Sequence, residues 1–243
     1  MYLMMATRPD IAYTVGMLAH HASHPSNQHI ATIVHLTGYL MKTKQWSINY
    51  RWQEKMSGGD RPNSHRYLWA YMDADWAGEE HSGHSMSGYM FLLSRGAVSW
   101  SSKRQGCISC STMESKYIGL FNCACQFDWF SSLLQQLGYP LPNKQFILCD
   151  NQSVIHIANR AIMDFKRSCY MNVKYHWVRN QVKENNVLQV VYVPSEENTA
   201  NIMTKRLNAT THYNLACDFI KDYNEVINPG ETNPPLVSSD EDQ

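Results

Sequence analysis

The chain has 243 residues, enough for one large domain or a domain with an appendage, and its 44% hydrophobic content can supply a core. Lys plus Arg number 21 and Asp plus Glu number 21, so formal net charge is zero, which excludes whole-chain attraction to nucleic acid and leaves only local patches. Seven cysteines with no secretory leader argue for free thiols in an intracellular, reducing compartment, with nothing to separate cytoplasm from nucleus, and no apolar run approaches the about 20 residues that span a bilayer.

The abrupt opening reads as the interior of a longer chain. Residues 9–44 read as two helices. Asp10 is placed to cap the first, and Ile11, Val15, Leu18 and Ala19 share its face. His24-Pro25-Ser26-Asn27 breaks the pattern, which Ile30, Ile33, Val34, Leu36 and Leu40 resume. Residues 46–50 alternate like a strand. The Gly-, Pro- and Asn-containing stretch 54–65 reads as a linker. Strands are predicted at 67–73, 88–93 and 97–100, the last two as a hairpin across Ser94-Arg95-Gly96. A long helix is predicted over 111–138, with Tyr117, Leu120, Ala124, Phe127 and Leu134 on one face. Then come a strand at 145–150, a short helix to 159, a helix over 170–184, a strand at 188–193 and a last helix from about 196. The Pro-rich acidic tail after 228 reads as disordered. This order predicts a mixed sheet with helices on both faces.

Two of these strands run into acids. The apolar run 67–72 leads to Asp73, and Phe146-Ile-Leu-Cys149 leads to Asp150. A buried carboxylate is costly unless it is paired or binds a cation, so two such strand ends suggest a shared cation site.

The motifs Thr7-Arg-Pro-Asp-Ile11, Tyr71-Met-Asp-Ala-Asp-Trp-Ala-Gly78, Ser87-Gly-Tyr89, Ser99-Trp-Ser-Ser-Lys103, Cys149-Asp-Asn-Gln-Ser153 and Tyr192-Val-Pro194 follow one another along the chain. Together they resemble the C-terminal part of a copia-type retrotransposon Pol polyprotein. The resemblance implies a reverse transcriptase remnant, thumb-like, over 1–53, a linker over 54–65 and a ribonuclease H-like domain over 66–207. A C-terminal helix and acidic tail are expected over 208–243. It implies an α/β fold with a mixed five-stranded sheet flanked by helices. It also implies Mg2+-dependent cleavage of the RNA strand of RNA–DNA hybrids, by four acids and two cations. The partners it implies are hybrid or other nucleic acid and the remainder of a polyprotein.

By this resemblance Asp73 and Asp150 match the first and third acids, as catalytic and metal-binding residues. The second acid of the family, a glutamate before a tyrosine, falls at Lys116 in Thr112-Met-Glu-Ser-Lys-Tyr117. The fourth falls at Asn201 in Ala200-Asn-Ile-Met-Thr-Lys205. Lys116 repels a cation where a carboxylate would attract it, by about 4 kcal/mol for unit charges 4 Å apart near a surface. Asn201 keeps an oxygen and loses the charge. The expectation is a retained fold with impaired activity and weakened Mg2+ binding. Glu114 is the alternative second acid, but it lies two residues from Lys116, about 200° around the helix, and has capping-box spacing from Ser111. A working nuclease using Glu114, or a noncatalytic nucleic-acid-binding module, are the other readings. Arg160, Lys166, Arg167, Lys174, Arg179 and Lys183 face a single acid, Asp164, and form either a solvated face or a hybrid-binding surface, the latter being assigned to the last five. His81-x2-His84 with Cys107-x2-Cys110 reads as chance spacing rather than a zinc site, and the cluster His20, His21, His24 and His29 receives no function.

Overall fold

Alternation along the central strands builds two cores, one on each face of a single sheet. The computed structural model describes residues 1–50, 68–78, 83–141, 144–159, 169–223 and 226. The linker at 54–65 and the tail after 228 lie outside the described residues. Following three N-terminal helices, α1 (Tyr2–Ala6), α2 (Ala12–His20) and α3 (Asn27–Lys42), comes the short β1 (Trp46–Ile48). Then β2 (Leu68–Asp75), β3 (Met86–Leu93) and β4 (Gly96–Arg104) form an antiparallel meander. The long α4 (Thr112–Gln136) crosses to β5 (Gln145–Cys149), and α5 (Gln152–Asn159) and α6 (Cys169–Arg179) lead to β6 (Leu188–Tyr192). The sheet order is β4-β3-β2-β5-β6, with β5 parallel to both β2 and β6. This is the mixed five-stranded sheet flanked by helices that the resemblance implied.

Leu68, Ala70 and Met72 point to one face, where they pack with Tyr117, Leu120, Ala124 and Phe127 of α4, the face read from helical spacing. Tyr71, Met90 and Leu148 point to the other, against Ala12, Met203, Leu215 and Phe219. The β3–β4 hairpin turns at Ser94 and Arg95, both left-handed at φ 50° and 64°, which suits the twist of a two-residue connection.

Three expectations change. Asp10 does not cap a helix. It lies buried in the 3-10 turn Pro9–Ile11, held by Arg8 at 2.7 Å and the Tyr39 hydroxyl at 2.7 Å, while Ser26 and His29 form the reciprocal cap of α3. The helix expected from 196 is instead two 3-10 turns, Ser195–Glu197 and Thr199–Met203, followed by α7 (Ala209–Ala216). Between the turns, Asn198 accepts from Ala200 N–H and donates to the Met72 carbonyl at 3.0 Å, so it pins the segment to the sheet before an α-helix can start. The apolar face of α3 is not buried: Ile30, Ile33 and Val34 are 51%, 49% and 66% exposed.

The chain ends of the described fold meet. β7 (Ile220–Asp222) pairs antiparallel with β1, so the region expected as a C-terminal appendage is joined to the N-terminal one. Trp100 Nε1 of β4 donates to the Met4 carbonyl at 2.6 Å, and the Tyr50 hydroxyl to the Ala97 carbonyl at 3.0 Å. The N-terminal helices are therefore fastened to the sheet.

One glycine sets how closely the 195–204 segment approaches. A Cβ on Gly88 would stand 2.4 Å from the Met203 Cβ and 2.8 Å from the Thr204 Cγ2. Gly88→Ala should cost about 1–3 kcal/mol by overpacking, read from the urea midpoint. Gly106→Ala, where no atom of the described residues lies within 4 Å, is the control expected to stay near wild type.

Candidate active site at the paired strand ends

Parallel register brings the two acids together. The last paired residues of β2 and β5 are Met72 and Cys149, so Asp73 and Asp150 are the next residues on neighbouring strands. Asp73 is 1% exposed, and on its other side it pairs with Gly88. Lys116, in the second turn of α4, extends toward the helix N-terminus as helical side chains do, and so reaches both strand ends. Its Nζ donates to Asp73 Oδ1 at 2.8 Å and to Asp150 Oδ1 at 2.5 Å.

The other two carboxylate oxygens are also taken. Asp73 Oδ2 accepts a short hydrogen bond from the Thr204 hydroxyl and lies 3.7 Å from Lys205 Nζ. Asp150 Oδ2 accepts from the Ser195 hydroxyl at 3.0 Å. Each of the four oxygens thus has a protein donor, and two carboxylates face two ammonium groups. Burial alone would push the Asp73 carboxyl up. The charges of Lys116 and Lys205, with hydrogen bonds from Lys116 and Thr204, outweigh it and hold Asp73 below the usual carboxylate value. Burial works against charge on Lys116 too, but Asp73 and Asp150 raise it above the ordinary lysine value. Asp75, two residues on, is raised by burial and then by the charge of Asp73. Burial pushes the Cys149 thiol, beside Asp150, up to about 12, so it remains a protonated core group.

Asn201 is 3% exposed and bonds to Ser195 and Thr204, which in turn bond the two acids. Its Nδ2 donates to the Ser195 carbonyl at 2.5 Å, while its buried Oδ1 has no hydrogen-bond partner among the described residues. Glu114 is directed elsewhere. Its N–H is capped by Ser111 Oγ at 3.2 Å, and its Oε2 accepts from Cys110 N–H at 2.8 Å, one residue earlier than a standard capping box. Among the described residues no three His, Cys, Asp or Glu side chains converge. These residues do not fit a divalent cation, because the space between the two carboxylates holds an ammonium and their charge is already offset.

The basic surface also differs from expectation. Lys166 and Arg167 lie outside the described residues. Lys174 is 7% exposed with its ammonium 5.2 Å from the Phe121 ring centre, a cation–π contact inside the fold, so it is not a surface phosphate contact. Arg179 bonds Glu184 at 3.3 Å, and Lys183 is exposed. His81 lies outside the described residues, while His84 Nδ1 is 2.8 Å from the Gln105 carbonyl. Sequence reasoning missed Ser195, Asn198, Thr204 and Lys205. Only the Thr204-Lys205 pair carried a signal, as the end of the motif that contains Asn201.

A mixed sheet in this strand order, with acids at the ends of two adjacent parallel strands, defines a ribonuclease H-like α/β domain. No protein-family model matches the chain. It is 34% identical over 206 residues to the retrovirus-related Pol polyprotein from transposon TNT 1-94 of Nicotiana tabacum, covering 84% of this chain. It is 32% identical over 210 residues to that from transposon RE1 of Arabidopsis thaliana, covering 86% of this chain. The chain belongs to the copia-type retrotransposon Pol family, and it spans 14% of the length of either polyprotein. A 131-residue match of 36% identity to a secreted RxLR effector protein of Plasmopara viticola covers 54% of this chain and 85% of that protein. Among solved structures, a ribonuclease H1 isolated from compost aligns at 14% identity with a TM-score of 0.44, over 57% of this chain and 93% of that one. No helix among the described residues is long and apolar enough to cross a membrane.

The buried triad sets a pH signature. Asp73 stabilises the fold above its unfolded value of 3.8, and that contribution is lost as pH falls through its lower folded value. Lys116 stabilises it below 10.5, and that contribution is lost as pH rises through its higher folded value. Lys116→Met should cost about 3 kcal/mol at pH 7, the lower end for breaking a buried pair, because Lys205 and Thr204 still face Asp73. Urea unfolding across pH should show that penalty shrinking as pH falls, because without Lys116 burial makes Asp73 take a proton at higher pH than in wild type. A constant penalty would mean Asp73 is not the group that loses its partner.

Proposed function

We propose that this chain is a ribonuclease H-like domain that engages RNA–DNA hybrid and cleaves it poorly or not at all. The observation that carries the reading is the Lys116 ammonium bonded to both Asp73 and Asp150. In the metal-dependent reaction of this family, cations held by carboxylates activate water and stabilise the leaving oxygen of the phosphodiester. Here Asp73 and Asp150 are the acids that would hold them, and Lys116 and Asn201 are the positions where acids are missing. Arg179 and Lys183, with Lys166 and Arg167, are the proposed basic contacts to the hybrid backbone. Residues 1–53 are proposed as the end of a reverse transcriptase, their described part fastened to the five-stranded sheet at Trp100 and Ala97 and to the C-terminal segment by the β1–β7 pair.

The alternative, a working nuclease with Glu114 as the second acid, has less support. Glu114 already accepts from Cys110 N–H at the helix start.

A hybrid-cleavage assay with Mg2+, run beside calorimetric Mg2+ titration, tests the reading on four proteins. Wild type should show neither tight Mg2+ binding nor efficient cleavage. Asn201→Asp alone should change little. Lys116→Glu shifts the site by two charge units and should bind Mg2+ measurably. Lys116→Glu with Asn201→Asp should bind it more tightly and regain cleavage, with non-additive gains because both act through the same ions. Efficient cleavage by wild type that Glu114→Gln abolishes would instead make Glu114 the catalytic acid.

A further inference from the structure

An ammonium carries three N–H donors and no acceptor. On Lys116, two are spent on Asp73 Oδ1 and Asp150 Oδ1, and no third acceptor lies within bonding distance among the described residues. The side chain retains 11% of its exposure, at the rim where the two strands end. The oxygens of Asp73 and Asp150 are each matched by Lys116, Thr204, Lys205 or Ser195, so two ammonium groups offset these two acids, with Asp75 a further acid nearby.

These facts decide what can approach. Two bare carboxylates would repel a phosphate and admit one only behind metal ions. Two acids already offset by ammonium groups raise no such barrier, and the remaining donor is an N–H that seeks an oxygen acceptor. Resting on the hybrid-binding reading above, we infer that Lys116 is a phosphate contact. Its third N–H takes a backbone phosphate oxygen of the hybrid, so binding proceeds without a divalent cation. The lysine thus serves the strand ends and the ligand at once, whereas Lys205, 33% exposed, adds positive charge beside the same phosphate.

Fluorescence anisotropy with a short labelled RNA–DNA hybrid tests this, in EDTA and in Mg2+, over a range of salt. Wild type should bind with affinities that agree within about twofold between the two conditions. Lys116→Met should bind about tenfold more weakly, as loss of a hydrogen bond to a charged group implies. Its slope of log affinity against log salt should fall by about 0.9, the share of one phosphate. Lys116→Arg, which keeps the charge and the donors, should retain binding in EDTA. Circular dichroism melts of each variant separate lost contacts from lost fold. If Lys116→Met does not fold, the wild-type comparison and Lys116→Arg decide. Wild-type binding that needs Mg2+, or a folded Lys116→Met with unchanged affinity and slope, overturns the inference and leaves the hybrid reading standing. No binding of hybrid by wild type in either condition overturns the hybrid reading itself.

Discussion

The ammonium of Lys116 between Asp73 and Asp150 is the contact on which the rest of the site depends. Parallel register at Met72 and Cys149 obliges the next two side chains to meet, and both are acids. With Asp73 1% exposed, their repulsion has no water to screen it. A cation must stand between them, and here the chain supplies it. The bond also joins layers. α4 lies on one face of the sheet and the 195–204 segment packs on the other, yet both meet at Asp73 through Lys116 and Thr204. A buried ion pair adds little net stability over an apolar substitute, but losing one partner is costly. The constraint therefore acts less as a source of stability than as a fixed relation between α4, the two strand ends and the segment after β6.

This has a consequence for metal dependence. A cluster of like charges is held folded by its ions, and stripping them strains it. Here Lys116 and Lys205 already offset Asp73 and Asp150, so their geometry does not wait on a ligand. On the proposed reading a phosphate approaches the paired strand ends through the Lys116 ammonium rather than through metal ions. On that reading, hybrid recognition and hybrid cleavage, joined in a metal-dependent enzyme, are separable in this chain.

Much of the fold was legible in the sequence, for physical reasons. Short apolar runs bounded by turn residues or acids gave the sheet strands, and Tyr117, Leu120, Ala124 and Phe127 at helical spacing gave the buried face of α4. The acids were legible because an apolar strand ending in Asp demands an explanation. What was not legible depends on long-range placement. Thr204 reaches Asp73 across 131 positions, and His212 reaches the Asp10 carbonyl across 202. No local pattern encodes either contact. Lys174 shows the same limit in reverse: its charge in a basic stretch suggested a surface, while tertiary packing laid its ammonium over Phe121. Asp10 had the sequence position of a cap, but Arg8, Thr43 and Tyr39 made a buried network around it, and a paired interior outcompeted an exposed helix end.

Asn201 is tied into the hydrogen bonds that surround the paired acids. Its amide donates to the Ser195 carbonyl, and Ser195 in turn donates to Asp150. A carboxylate at 201 has no proton to give, so it would face the Ser195 carbonyl oxygen across 2.5 Å as one acceptor against another. The backbone at Ser195 would have to withdraw, and withdrawing it would loosen the hydroxyl that satisfies Asp150 Oδ2. The buried Asn201 Oδ1, without a partner among the described residues, is the residue of this compromise: the amide matches the carbonyl with one end and leaves the other unmet. Restoring an acid at 201 therefore costs hydrogen bonds in the metal-free protein, and only a cation that binds the new carboxylate can offset them. The Lys116 ammonium occupies the space between the two acids, so on the proposed reading a carboxylate at 201 gains its cation only once that ammonium is removed.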